Sequence, residues 1–426
     1  MANGRERLAG LVLAGAFALV ALAVNTEGCS SDSPNMALGD GHAGHGGAGN
    51  VGRGGIGGSI GGGGGIAGGT AGMAVAGAGG AGGQTGCQLP AGAPGTWVEI
   101  APPPGQANFH VTDAFAVGLN DLFFAGYIGD PTMGAPFTEA RVLRWTQGCW
   151  TVELSIPAGI SQVDFPSVHG LATDDVWASA GDAIFHRDAQ GWTRFANEGW
   201  RNQIRLPPFS IPVELLRLRE AAPNDIWLAA TSNILHWNGQ AWTTFNFDDP
   251  NYPNDTASIG FFFRSIWIDT PTSVWVGGGA DQVGNTMETS IIHHFDGANW
   301  THTQLPALGQ VDGIWRGGSV LWLANPSIGS TIVRFDGTTG TSTPILGIDP
   351  NNPPGLTSLF GRGASDLWAA GDDVAHFDGQ SWSLDPGVPA AARSVLDERN
   401  TYVTGDAGSV WLATPGPRFF RMVTGP

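Results

Sequence analysis

From Gly95 to the C-terminus, apolar and polar residues alternate in short runs, cut every few positions by Gly, Pro, Asn or Asp. A period of two bounded by turn formers is the pattern of half-buried strands. The stretch "PSVHGLATDDVWASAGDAIFHRDAQGWTRF" displays the unit: PSVHGLA predicts a first strand, DDVWASAG a second, AIFHRD a third and GWTRF a fourth. Stretches free of Gly or Pro are too short for helices to be expected.

The unit recurs. An aromatic residue stands in the second strand, two residues after an Asp, Ser or Asn in most copies, at Phe123, Trp177, Trp227, Trp275, Trp322, Trp368 and Tyr402. The steps between them are 54, 50, 48, 47, 46 and 34 residues. Periods of this size hold four strands and their turns, the blade of a β-propeller, and exceed leucine-rich or ankyrin units. Seven marks predict an all-β, seven-bladed β-propeller. Asn238-Gly239, Asp296-Gly297, Asp336-Gly337 and Asp378-Gly379 fall between third and fourth strands, predicting type I′ turns with positive φ at both central residues. Trp242, Trp300 and Trp382 follow three residues after the Gly, with Trp150 and Trp192 aligned, and Gly340 stands where the fifth copy should carry Trp. "GTWVEIAP" at Gly95 looks like an outer strand, so the N-terminus is expected to complete the last blade and remove its open edge.

The core "DVWASAGDAIFHRDAQGWTRF" is similar to the tectonin type of propeller repeat found in some lectins, and the D-G-x-x-W turn to the Asp-box of sialidase-like propellers, although the Ser and spaced Gly of the Asp-box are missing. The kelch pattern of paired Gly with Tyr and Trp is absent.

Ahead of the repeats, residues 1–28 have a charged start and an apolar run from Leu8 to Val24, short of the roughly 20 residues of a bilayer span, and read as an export signal. A small residue followed by Cys29 resembles the bacterial lipoprotein signal, which implies that Cys29 carries lipid and, with Ser30 next to it, an outer-membrane address. Thr26 and Glu27 depart from that pattern, and a cleaved, secreted protein is the alternative. Residues 29–94 are read as the lipidated N-terminus and a linker. Between Gly39 and Gly86, 25 of 48 residues are Gly, with little side chain to bury against the entropy of ordering, so a disordered tether is expected. Taken as a Gly-rich coil, the about 64 residues between the anchor and the first strand have a root-mean-square span of roughly 40 to 50 Å. His42 and His45 in this tract make a weak metal site at best. Residues 95–426 are the propeller domain.

The net charge of −18 repels nucleic acid and anionic membrane surfaces, leaving the lipid anchor as the expected membrane contact. With Cys29 lipidated, Cys87 and Cys149 remain as a pair in an oxidising compartment and are expected to form a disulfide. His186, His236, His294 and His376 share one register, with Arg144 and Arg334 in the same place. Rotation of the ring spreads them over separate blades, so they are read as scaffold rather than metal ligands, and the Trp set as packing between blades.

What differs between copies is where function is sought. Connections from second to third strand, and from blade to blade, vary widely and leave from one face of a propeller. Tyr127, Trp200, Arg201, Asp248, Asp249, Tyr252, Asp255 and Asp281 lie in or beside these insertions and are the expected ligand contacts. Asp248, Asp249 and Asp255 in "DDPNYPND" have the chemistry of a calcium site, with turn formation as the competing role; no other cofactor is expected. Phosphate loops, zinc-protease helices and nucleophile elbows are absent, and no catalytic residues are assigned. The chain therefore reads as a monomeric binding or adhesion module for a glycan or protein, the alternative being a propeller hydrolase or lyase acting on extracellular polysaccharide.

Overall fold

The computed structural model describes residues 87–424, apart from 90, 104, 107 and the segments 130–137, 158–165, 204–214, 231–232, 248–257, 283–288, 326–330, 350–353, 394–400 and 415–417. The signal, Cys29 and most of the linker lie outside the described residues. Alternation of period two becomes strands throughout, and the only helical pieces among the described residues are short 3-10 turns at Gly199–Asn202 and Ala390–Ala392.

A first strand, β1 (Trp97–Ile100), precedes the repeats. Blade 1 is β2 (Phe109–Gly118), β3 (Asp121–Ile128), β4 (Glu139–Thr146) and β5 (Cys149–Pro157); blade 2 is β6 (Ser167–Ala172), β7 (Asp175–Ala180), β8 (Ala183–Asp188) and β9 (Gly191–Arg194). Blade 3 is β10 (Leu215–Ala222), β11 (Asp225–Ala230), β12 (Asn233–Trp237) and β13 (Trp242–Asn246), and blade 4 is β14 (Ser258–Thr270), β15 (Ser273–Gln282), β16 (Thr289–Phe295) and β17 (Trp300–Leu308). Blade 5 is β18 (Gly313–Gly317), β19 (Val320–Asn325), β20 (Thr331–Phe335) and β21 (Gly340–Thr343). Blade 6 has β23 (Leu356–Gly363), β24 (Asp366–Gly371), β25 (Val374–Phe377) and β26 (Trp382–Leu384), with β22 (Ile345–Leu346) added parallel to β26 as a fifth strand. Blade 7 is β27 (Tyr402–Asp406), β28 (Ser409–Thr414) and β29 (Arg418–Val423), completed by β1, which pairs antiparallel with β29. The predicted closure is thus realised, and it removes the unpaired edge that would otherwise separate first and last blades.

Six of the seven marks sit in second strands, each opposite a basic residue of the third: Phe123 with Arg144, Trp177 with His186, Trp227 with His236, Trp275 with His294, Trp322 with Arg334 and Trp368 with His376. The seventh is corrected. Tyr402 opens the inner strand β27, and the repeat position belongs to Trp411 in β28, opposite Arg421 and two residues after Ser409. Tyr402 follows Asn400 at the same spacing, which imitates the mark; Trp411 restores a step of 43 residues.

In blades 4, 6 and 7 the outer-strand Trp packs on the second-strand aromatic of the blade before it. Trp382 meets Trp322 at 5.7 Å, Trp300 meets Trp227 at 6.2 Å, and Trp97 meets Trp368 edge-on at 5.7 Å. Burial of such rings is the dominant favourable contribution of each blade interface. Blade 5 carries Gly340 at the outer position and keeps only the third-strand ring, Phe335, against Trp275 at 5.9 Å, as Phe295 and Phe377 lie against Trp227 and Trp322 in their blades. The shared imidazoles are scaffold: each stacks on its cross-strand Trp at 3.8–4.2 Å, and Nε2 of His186, His236 and His376 bonds to Asp175, Asp225 and Asp366 at 2.8–3.0 Å.

The Asn-Gly and Asp-Gly turns differ from expectation. Only the Gly has positive φ, +86° at Gly239 and +96° at Gly297, and it is the first central residue, a requirement of the II′ pattern. The preceding Asn or Asp is instead the turn's first residue, its Oδ1 accepting N–H bonds from the two residues beyond the Gly, as Asp296 does from Ala298 and Asn299. Positive φ at both central residues occurs at Gln147-Gly148 in blade 1.

Candidate functional site: the loop face and the channel

Antiparallel alternation gives the ring two unlike faces. On one, the turn from first to second strand is two residues long in all seven blades. The connections from second to third strand and from blade to blade start and end on the other face and hold nearly all the variable segments. In blade 4, β14 runs for 13 residues and β15 for 10, against 6 for most second strands, so this hairpin extends further along that face than sequence alone suggested.

Trp200 was expected as an exposed contact there and is corrected: it is 1% exposed, clustered with Trp177, Trp237 and Trp242. Its large apolar ring gains more from this inter-blade pocket than from water. Arg201 lies over the ring at 4.6 Å and is held by Asp182 at 2.6 Å and Glu198 at 2.7 Å, joining the connection after blade 2 to the turn between β7 and β8. Tyr127, also expected at the surface, is 6% exposed in β3 and stacks on His110 at 5.1 Å. Asp281 falls within β15 opposite Gly260, its side chain outside the description. Asp248, Asp249, Tyr252 and Asp255, and with them the calcium expectation, lie outside the described residues.

Cys87 and Cys149 are joined, as expected, tying the segment before β1 to the outer strand of blade 1. The same seam is closed by polar contacts: Asp406 Oδ2 accepts the Asn120 backbone N–H at 2.9 Å, and Arg421 donates to Asn120 Oδ1 at 2.7 Å.

Inner strands hold what the sequence reading missed. Charged residues interrupt apolar runs in "VTDAFAVG" and "LLRLREAA", and that interruption was the available signal. Asp113 of blade 1 is fully buried and accepts from Arg219 of blade 3 at 2.8 and 3.2 Å, Tyr402 of blade 7 at 2.7 Å, Val168 N of blade 2 at 3.2 Å, and Ser167. Burial alone would raise its pKa, but the Arg219 and Arg217 charges and the bonds from Arg219 and Ser167 hold it well below the usual carboxylate range. Burial and the Asp113 charge push Tyr402 up to about 12, so its phenol keeps its proton. Similar bonds link neighbouring inner strands: Ser167 Oγ accepts Leu218 N at 2.9 Å, and Ser358 Oγ accepts Val403 N at 3.0 Å. On the other side of β10, Glu220 is 3% exposed; Oε1 accepts Trp177 Nε1 at 3.2 Å, and burial and the Asp175 charge push its pKa up to about 8.

The carboxylate, guanidinium and phenol of this hub are committed to one another, which makes it a clamp between blades. Among the described residues no three His, Cys, Asp or Glu side chains gather as a metal site would require.

No protein-family model and no curated sequence matches the chain. Solved structures do. A catalytically inactive variant of virginiamycin B lyase from Staphylococcus aureus, with quinupristin, superposes with TM-score 0.54 at 14% identity over 77% of this chain and 99% of that one. PorZ, a bacterial surface component of the type-IX secretion system of Porphyromonas gingivalis, gives 0.50 at 12% identity over 79% of this chain and 48% of its own. U3-55K gives 0.50 at 9% identity over 77% and 98%. Proteins of such different roles sharing one architecture at this identity establish the fold: the chain is a seven-bladed β-propeller.

Proposed function

We propose that the protein is an exported, lipid-anchored binding module that recognises a glycan or protein through its long-loop face. The observation that carries this is the asymmetry of the ring: on one face every turn from first to second strand is two residues long and the turns from third to fourth strand are two or four, while nearly all the long and variable connections lie on the other. A scaffold that fixes one face and frees the other suits recognition. Cys29 supplies the anchor, the Gly-rich tract the reach, and the Cys87–Cys149 bond fits an oxidising exterior. A second reading, a hydrolase or lyase of extracellular polysaccharide, draws on the Asp113, Arg219 and Tyr402 cluster, but those groups spend their hydrogen bonds on each other and leave no free acid or base.

Two measurements test this. Glycan and protein arrays probed with the full-length protein should show retention without product; release of shortened oligosaccharide from a retained polysaccharide decides for the enzyme. In cell fractions, Cys29→Ser should move the chain from membrane to soluble, and unchanged partitioning contradicts the anchor.

A further inference from the structure

Blade 7 takes its outer strand from the far end of the chain, so no covalent turn joins β29 to β1. The strand is held by four residue pairs, from Trp97–Met422 to Ile100–Phe419, and by the Gly95 N–H donated to Val423 O at 2.9 Å. Trp97 adds its buried ring, edge-on to Trp368, and an indole N–H bonded to Asp385 at 2.9 Å. Loss of β1 would reopen the edge of β29 and uncover Trp368. Its N-terminal end is also where the rest of the chain comes in, since everything from residue 86 back to Cys29 arrives ahead of Trp97. A pull reaching Gly95 along that chain would break the bond to Val423 and then the pairs from Trp97 onward in turn, because no hairpin closes this end of the strand.

The disulfide intercepts that pull. Cys87 precedes β1 in the chain and is bonded to Cys149, the first residue of β5, with their Cα atoms 5.1 Å apart. Tension arriving at Cys87 passes through a covalent bond into blade 1. Residues between Cys87 and β1 include a turn, in which Thr96 N donates to Ala93 O at 3.0 Å, and a chain that folds back on itself is not taut while Cys87 is held. Cys149 is also a better place to pull. It pairs with Thr146 across the Gln147-Gly148 turn, at the closed end of the β4–β5 hairpin, where neither strand has an end to peel from. Eight residue pairs join those strands, against four for β1 and β29. The incoming chain is seated on this turn: a Cβ at Gly148, whose φ is +92°, would fall 2.7 Å from the carbonyl carbon of Gln88.

We propose that the Cys87–Cys149 bond is a mechanical shunt, which routes tension from the N-terminal chain into blade 1 and keeps it off β1, so that the ring stays closed while the protein is under load. This role takes its occasion, though not its mechanics, from the anchor at Cys29 and a ligand on the loop face. The test is magnetic-tweezers force spectroscopy on the full chain carrying Cys29→Ser, so that no lipid enters the measurement and the anchor is tested separately by cell fractionation. One attachment is at the N-terminus, the other at a biotin-acceptor peptide inserted within residues 283–288, in the connection from β15 to β16. In Cys87→Ser/Cys149→Ser, departure of β1 frees residues 88–108, so a first step of up to about 75 Å should appear at about half the force of the next event or less. With the disulfide intact, no such step should precede the unfolding of a blade. Trp97→Ala should lower the force of the early step in the double-serine chain and bring out no early step in the disulfide-bonded one. Disulfide-bonded protein reduced with dithiothreitol after mounting should behave as the double-serine chain, which keeps the test decisive if that variant folds poorly. An early step of this length with the disulfide intact, or none after reduction, overturns the proposal.

Discussion

Glu220 offers a quantitative test of how the blades are locked. It lies between blades 2 and 3, with Oε1 on the Trp177 indole and no partner for Oε2 among the described residues. Burial and the neighbouring Asp175 raise its pKa from 4.5 to about 8. An acid whose folded pKa is raised holds its proton in the fold while the unfolded chain has lost it. Stability attributable to this group is therefore full below about pH 4.5, falls as pH rises towards 8, and levels off above. At 1.36 kcal/mol per pH unit, a shift of this size corresponds to about 4 to 5 kcal/mol. His169 and His293, both held down to about 3 by burial, act oppositely between pH 3 and 6.5, so wild type alone gives a mixed profile. The informative quantity is the difference between wild type and Glu220→Gln in urea denaturation from pH 5 to 9. Gln keeps the acceptor for Trp177 and cannot ionise. The difference should be small at pH 5 and grow in favour of the variant by several kcal/mol at pH 9. A flat difference, or a variant less stable at pH 9, refutes the reasoning.

Other expectations follow from the same packing. Trp200→Ala should cost about 3 to 5 kcal/mol, as for any large buried ring, and a change within the range of surface substitutions would return Trp200 to the loop. Asp113→Ala leaves Arg219 partly buried without its carboxylate and should cost about 3 to 5 kcal/mol, measured as a fall in melting temperature; an unchanged melt refutes the clamp. Cys149→Ser opens a loop with a sequence separation of 62 and should lower stability by about 4 kcal/mol in the chain-entropy account, checked by urea denaturation; a change below about 1 kcal/mol contradicts it.

Much of the architecture was legible because blades repeat. Second-strand aromatics from Phe123 to Trp368 at steps of 46 to 54 residues, with alternating strands between them, make the repeating blade and its strand order readable. The exceptions have physical causes. Tyr402 passed for a repeat mark because an Asn stands two residues before it, whereas its phenol serves the Asp113 clamp. Asp-Gly suits the central pair of a I′ turn, but the same dipeptide can also supply the first residue and first central residue of the turn, and φ at the Asp, which is not positive here, separates the two placements. Trp200 falls in an unrepeated insertion, where no periodicity signals that its ring packs beneath Arg201 into the core between blades 2 and 3. Asp113, Arg219 and Glu220 belong to one blade each, so no repeat announces them, and their partners come from strands up to 289 residues away.

The most direct test of the account is an array of glycans and extracellular proteins probed with the full-length protein. Three forms are compared: that protein alone, the same with residues 248–257 replaced by Gly-Ser, and the same with Asp296→Ala on the short-turn face. The account predicts retained ligand for the first, loss on loop replacement and no change with Asp296→Ala. Retention that survives loop replacement but disappears with Asp296→Ala, or no retained ligand at all, would contradict recognition by the loop face.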